Sequence, residues 1–336
     1  MKAFVKTDQS SAPRLRRWFQ AAFLILNIWI GVEFYLFVRY YESGGGTPWV
    51  PRPAGVEGWL PIASLMNLKA FLTTGAVPLL HPAGMFLLIA FLASSLLFRK
   101  SFCSWLCPVG TISEYLWRLG RRTFRRNFYL PRWLDVAFRS AKYILLALFL
   151  YSVLSMPVSA IEAFLRGPYG LMADVKLLNF FRFLSIASAV VLGLLIFASV
   201  FVQNFWCRYL CPYGALMGLA AMVGPLRIRR IPSVCIDCGK CAKACPSVLP
   251  VDQLVTIRSA ECLGCMECVA SCPAAGALFL SAGGRRRVPS WAIALGVTVL
   301  FAGITGYAKW TGHWRTDLPS HLYFELIPQA RELSHP

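Results

Sequence analysis

Two stretches of this chain carry four cysteines each in one shared order. Residues 235–246 read C-I-D-C-G-K-C-A-K-A-C-P, and residues 262–273 read C-L-G-C-M-E-C-V-A-S-C-P. Three cysteines fall at i, i+3 and i+6, a fourth follows four residues on, and a proline closes the run. This is the bacterial ferredoxin spacing, in which one loop supplies three thiolates to a 4Fe–4S cubane and the other run supplies the fourth. The rule assigns Cys235, Cys238, Cys241 and Cys272 to one cluster, and Cys262, Cys265, Cys268 and Cys245 to the second. A lone C-x-x-C is compatible with zinc, a disulfide or thiol redox chemistry. Zinc needs four ligands per site but not the crossing proline pattern. Gly239 and Gly264 fall inside the loops, where the backbone must fold closely around sulfur. Pro246 and Pro273 stop a regular helix from running across the ligand.

The rest of the chain avoids water. Only 15% of its residues are charged and 57% are hydrophobic, against about 25% charged in a soluble domain. A spanning helix needs about 20 mostly apolar residues, and five stretches qualify: Trp18–Val38, Leu79–Phe98, Tyr143–Ile161, Phe183–Val202 and Pro289–Ala308. The first lacks a small-residue cleavage site and reads as a span, not a cleaved signal. The expected fold is therefore mainly α: a polytopic membrane domain over residues 1–203, an inserted α+β ferredoxin module with two 4Fe–4S clusters over 204–288, a fifth span over 289–308 and a tail over 309–336. Glu114–Leu130 mixes aromatic and Arg residues at helical spacing and reads as an interfacial helix. Trp59–Leu72 reads as a surface amphipathic helix.

Lysine and arginine set the orientation. Residues 1–17 carry five, 99–142 carry ten and 204–288 carry ten, whereas 39–78, 162–182 and the tail carry three each. The expectation is a bacterial inner-membrane protein with its N-terminus and clusters in the cytoplasm and its C-terminus in the periplasm. The net charge of +19 then reflects topology and contact with lipid headgroups, and nucleic acid is not expected as a partner.

One motif occurs twice. Phe102–Gly110 reads F-C-S-W-L-C-P-V-G and Trp206–Gly214 reads W-C-R-Y-L-C-P-Y-G. Each follows an apolar stretch on its expected cytoplasmic side. On a helix, cysteines four apart share a face, so Cys103, Cys107, Cys207 and Cys211 could present four sulfurs to one site. Soft thiolates suit copper(I), zinc or an iron–sulfur cluster; four buried reduced thiols beside a helix break are the plainer alternative. All twelve cysteines fall in these motifs or in the ferredoxin runs. No C-x-x-C-H is present, and no span carries a His pair for a transmembrane haem.

These motifs, with V-E-G-W-L-P-I (Val56–Ile62) and T-G-A-V-P-L-L-H-P-A-G (Thr74–Gly84), resemble the membrane polyferredoxins of the NapH and NosR type and, more distantly, the CcoG type. The resemblance covers residues 55–282. It implies a quinol-linked electron-transfer protein, a quinol dehydrogenase-type oxidoreductase subunit, whose partners are membrane lipid, the quinone pool and a reductase. Quinol oxidation releases protons as well as electrons. Glu57 and His81, both in the family-like stretches, are the expected acceptors, because His is poised near neutral pH and burial raises a Glu. Two other readings stay open: a metal-handling assembly factor that binds copper at the C-x-x-x-C-P thiols, and a membrane redox sensor.

Overall fold

The computed structural model describes residues 12–125, 127–284 and 286–334. The basic positions in residues 1–11, and Arg285, lie outside the described residues. Helix α1 (Ala12–Glu42) opens the chain. A 3₁₀ turn, Ala54–Trp59, leads into α2 (Pro61–Thr74), then come α3 (Pro82–Leu97), α4 (Pro108–Phe124) and α5 (Arg132–Ser155). Three shorter helices, α6 (Val158–Arg166), α7 (Pro168–Leu171) and α8 (Ala173–Arg182), precede α9 (Ile186–Phe201) and α10 (Pro212–Val223). The cysteine runs occupy a small module of β1 (Leu226–Arg230), α11 (Lys240–Lys243), β2 (Thr256–Ile257), α12 (Glu267–Ala270), β3 (Leu278–Ala282) and β4 (Arg286–Arg287). Helices α13 (Trp291–Trp310) and α14 (Ser320–Gln329) close the chain.

The sheet runs β2-β1-β3-β4, antiparallel throughout. Ile228 on β1 sits opposite Ile257 on one side and Leu280 on the other. All three are buried, so register follows from one apolar stripe at the two-residue period of a strand.

The chain is a mainly helical polytopic membrane protein carrying a ferredoxin-type module. Among the described residues, α1, α5 and α13 are long and apolar enough to span a bilayer. Helices α8 and α9 make a fourth candidate if taken together, bent by 81°. The expected second stretch becomes the 16-residue α3, because Pro82 starts that helix and His81 before it takes φ 51°. The expected third stretch is displaced: Pro157, which cannot donate to a helix ladder, follows the last turn of α5, and the helix instead begins at Arg132. The expected interfacial helix begins six residues early, at Pro108, and ends at Phe124 before left-handed Arg125. A helix does lie near Trp59–Leu72, but as α2 it begins and ends two residues later and buries Ala63, Met66, Asn67 and Ala70.

The residues cluster into two compact units. One comprises Met1–Leu24, Phe91–Leu146 and Gly193–Leu300; the other comprises Ile25–Ala90, Ala147–Leu192 and Phe301–Pro336. The first holds all twelve cysteines. The second has its own core, in which Phe37 of α1 and Tyr323 of α14 meet edge-to-face at 5.2 Å, with Phe34, Met172 and Ile327 buried around them.

Candidate iron–sulfur site

The two cysteine loops share one backbone path. In the first, Asp237 and Gly239 have φ of 51° and 66°; in the second, Gly264 and Met266 have φ of 63° and 62°. Left-handed residues thus fall at the same two positions after each leading cysteine, on either side of the middle one. Glycine takes that conformation freely, while Asp237 and Met266 adopt it at a steric cost. Each loop runs into a single helical turn, α11 or α12, that holds its third cysteine buried.

Cys245 comes from the first run, yet it lines a cavity with Cys262, Cys265 and Cys268 of the second, beside Pro246 and Gly264. Cys272 of the second run lies within electrostatic reach of Cys235 and Cys238 of the first, and Cys241 lies within reach of Cys272. The described cysteines are all free thiols. Among the described residues no three His, Cys, Asp or Glu converge as they would on a single ion; a cubane carries its four thiolates on separate irons, spread around a larger body. A cavity lined by four thiols fits that larger group. Burial pushes the Cys245 thiol up to about 11, and the charge of a metal centre bound there would favour the thiolate.

Side chains from three membrane-domain helices, α1, α4 and α5, and from the turns after α3 hold the second loop. Arg99 donates from Nη2 to the Ser259 carbonyl at 2.9 Å and from Nη1 to the Ala221 carbonyl at 3.1 Å. Ser104 Oγ donates to the Leu263 carbonyl at 2.7 Å. Lys142 and Tyr143 of α5 both donate to Glu261. Arg16 of α1, fully buried, bridges Glu114 of α4 and Glu267 of α12, at 2.6 and 2.7 Å. Arg118 reaches the same two carboxylates. Burial alone would raise the Glu114 carboxyl, but hydrogen bonding and charge from Arg16 hold it down at about 2.

The duplicated motif has duplicated geometry. Phe102–Leu106 and Trp206–Leu210 each form a π-turn, closed by Cys107 N–H donating to the Phe102 carbonyl and Cys211 N–H to the Trp206 carbonyl, at 2.9 and 3.0 Å. Cys107 and Cys211 have extended backbones and cap α4 and α10, their sulfurs accepting from Gly110 N–H and Gly214 N–H at 3.5 and 3.2 Å. Proline follows at the first helical position, where no N–H is needed. The expectation of two thiols on one α-helical face is therefore corrected: the extra residue of the π-turn and the cap set their placement. Gly110 is required by contact, since a Cβ there would lie 2.4 Å from the Cys103 carbonyl oxygen. The four sulfurs are mutual electrostatic neighbours, with the buried Lys100 beside Cys103, Cys207 and Cys211. Between the second pair, Arg208 binds Asp135 through two nitrogens at 2.8 and 2.9 Å and acts on Cys245.

Glu57 and His81 also meet, in the second unit. Both are fully buried, with Glu57 Oε1 3.6 Å from His81 Nδ1. Sequence reasoning missed their partners. Arg52 donates to Glu57 at 2.8 Å and to Asp174 at 2.7 Å; Thr316 Oγ1 donates to Glu57 at 2.7 Å; Gly84 N–H donates to Glu57 at 3.1 Å. His81 Nε2 lies 2.9 Å from the Gly170 carbonyl. Burial alone would raise Glu57, but the Arg52 charge and the hydrogen bonds of His81 and Thr316 hold it at about 2. The only sequence signal was an arginine five residues before a family-like glutamate.

Fold and cysteine geometry together define a membrane-embedded, ferredoxin-type iron–sulfur protein. A family described as a 4Fe-4S binding domain matches residues 80–127 and again 184–231, so each match contains one C-x-x-x-C-P motif; a 4Fe-4S dicluster domain matches residues 227–273. YccM of Escherichia coli (strain K12) is 48% identical over 334 residues, covering 98% of this chain and 94% of YccM. NirI of Paracoccus denitrificans is 30% identical over 62% of this chain but only 30% of NirI, and the ferredoxin-type protein NapH of Escherichia coli is 26% identical over 49% of this chain and 56% of NapH. No solved structure matches. The chain belongs to the NapH/NosR-type family of membrane iron–sulfur electron-transfer proteins.

Proposed function

We propose that the protein passes single electrons between the quinone pool and a partner reductase through two 4Fe–4S clusters. The cavity lined by Cys245, Cys262, Cys265 and Cys268 carries this reading, because it gathers thiols from both runs. The cubanes, when bound, supply one-electron storage. The chain supplies the thiolates, the left-handed loops that fold around them, and the ion pairs that fix the second loop. His81 is the proposed proton acceptor for quinol, and Glu57, kept ionised by Arg52, is its partner and not an acceptor itself. The arrangement is proposed to sit in a bacterial inner membrane, with the ferredoxin module cytoplasmic and the tail periplasmic.

Cys103, Cys107, Cys207 and Cys211 are proposed to hold one further metal or cluster. Burial opposes negative charge on all four sulfurs; the N-termini of α4 and α10 favour it at Cys107 and Cys211, and Lys100 favours it at Cys103, Cys207 and Cys211. A second reading is copper handling by an assembly factor, for which these reduced thiols would be soft ligands.

Anaerobic purification followed by iron and sulfide analysis and EPR tests the main reading. The expected result is two cubane signals that quinol analogues reduce. Cys272→Ser should remove the cluster of Cys235, Cys238 and Cys241 and spare the other. Zinc in place of iron, with no sulfide, sinks the reading. Stoichiometric copper lost in Cys103→Ser and Cys207→Ser, with no quinol reduction, favours the second.

A further inference from the structure

The two cysteine loops are not equivalent in their surroundings. In the second, Cys262, Cys265 and Cys268 are all buried, at 8–9% exposure. In the first, Cys238 is exposed and Cys235 half-buried. Every membrane-domain side chain described above as gripping a cysteine loop grips the second. Arg99, Ser104, Lys142 and Arg16 bind residues between Ser259 and Glu267. Gly264 packs so closely on this framework that a Cβ would lie 3.0 Å from Arg99 Cβ. Among the described residues, the side-chain contacts at the first loop come from its own module: Arg230 lies 3.5 Å from Asp237, and the nearest atom to a Cβ at Gly239 is Asp252 Oδ2 at 3.8 Å.

Both duplicated motifs also reach the cavity that Cys245 lines with Cys262, Cys265 and Cys268 of the second loop. Ser104, which follows Cys103, donates to the Leu263 carbonyl. Arg208, which follows Cys207, acts electrostatically on Cys245. Onward, Cys268 lies within electrostatic reach of Cys241 in the first loop, and α11 packs on α12.

We infer that the protein is polarised: the four-thiol site and the Cys262–Cys268 loop form its membrane side, and the Cys235–Cys241 loop, opening at Cys238, is the port for a water-soluble one-electron redox protein. The inference rests on the cubane reading above. In the reducing direction, a quinol gives up two electrons and releases its two protons. The electrons would move singly with no bond formed or broken in the relay: the clusters held by the eight cysteines would supply one-electron storage, and the soluble partner would be reduced at the Cys238 face. The surface there mixes signs, with Asp237 beside Arg230 and Lys240 two residues past Cys238, and Arg230 donates to the carbonyls of the exposed Leu254 and Val255. A mixed, partly apolar patch suits brief docking by a small redox protein, which is typical of electron-transfer encounters.

The test uses the full chain in detergent, reduced anaerobically, with a chelated dysprosium complex as an aqueous relaxant in EPR power saturation. The expected result is that one cubane signal relaxes several-fold faster and the other does not. Asp237→Lys, a surface change that keeps all eight cysteines, should raise the midpoint potential of the relaxant-sensitive signal and leave the other unchanged. Equal response of both signals, or a potential shift in the insensitive signal or in neither, overturns the polarity. A preparation with no cubane signal sinks this inference together with the reading beneath it, and is told apart because nothing responds at all.

Discussion

Lys142 Nζ lies 2.7 Å from both carboxylate oxygens of Glu261, and the lysine side chain is fully buried. This pair ties α5 to the residue directly before Cys262. Removing one partner strands the other charge in a low-dielectric setting. Lys142→Met should cost about 3–5 kcal/mol and lower iron content at the second loop. Adding Glu261→Gln should recover part of the loss. Thermal denaturation and EPR of the two signals check both; equal loss of both clusters would argue against local anchoring.

The two glycines of the duplicated motif should respond unequally. A Cβ at Gly110 meets the Cys103 carbonyl oxygen at 2.4 Å, whereas at Gly214 it meets Cys211 Sγ at 3.5 Å. Gly110→Ala is expected to destabilise by ~1–3 kcal/mol through forced backbone movement, and Gly214→Ala by much less. Denaturation midpoints of the paired variants decide the matter.

Acid should weaken the α1–α4–α12 junction. Glu114 ionises at about 2 in the folded chain against an ordinary 4.5. A depressed carboxyl contributes stability that is fully present above its unfolded value and is lost as pH falls from near 5 toward 2. The contribution is about 3 kcal/mol at neutral pH. Glu114→Gln should therefore flatten the pH dependence of stability over that window, as read by denaturation at about pH 6 and about pH 3. An unchanged slope would assign the acid sensitivity elsewhere.

Loop strain offers a cleaner comparison. Met266 has φ 62° and Gly239 has φ 66°. Met266→Gly should relieve strain, while Gly239→Ala should add ~1–2 kcal/mol with no side-chain clash nearby. Gly264→Ala should cost more, because it adds the close contact with Arg99. Cluster retention on mild heating ranks the three.

In the second unit, Arg52→Gln leaves Glu57 and Asp174 buried without their shared cation. The expected loss is about 3–5 kcal/mol, visible as faster proteolysis of the segment around Thr316. An undisturbed segment would show that the remaining hydrogen bonds suffice.

What could be read in advance was whatever lies close along the chain. The ferredoxin loops are legible because each ligand triplet sits within seven residues, and the apolar helices because hydropathy is local. Span limits were less legible: Pro157 and left-handed His81 redirect the backbone where hydropathy alone continues. The C-x-x-x-C spacing suggested an α-helical face, but a π-turn and a cysteine cap occupy it. Arg52 and Asp174 were invisible as a pair because 122 residues separate them. The contact of Ser104 with Leu263 joins residues 159 apart and has no sequence signature.

The repeated π-turn has a bearing on how such a chain can be divided. Each copy supplies two sulfurs, one of them on the capping cysteine, and neither copy alone carries four thiols. A polypeptide cut between the copies would carry two incomplete sockets, and only non-covalent reunion of the pieces could rebuild the place where they meet.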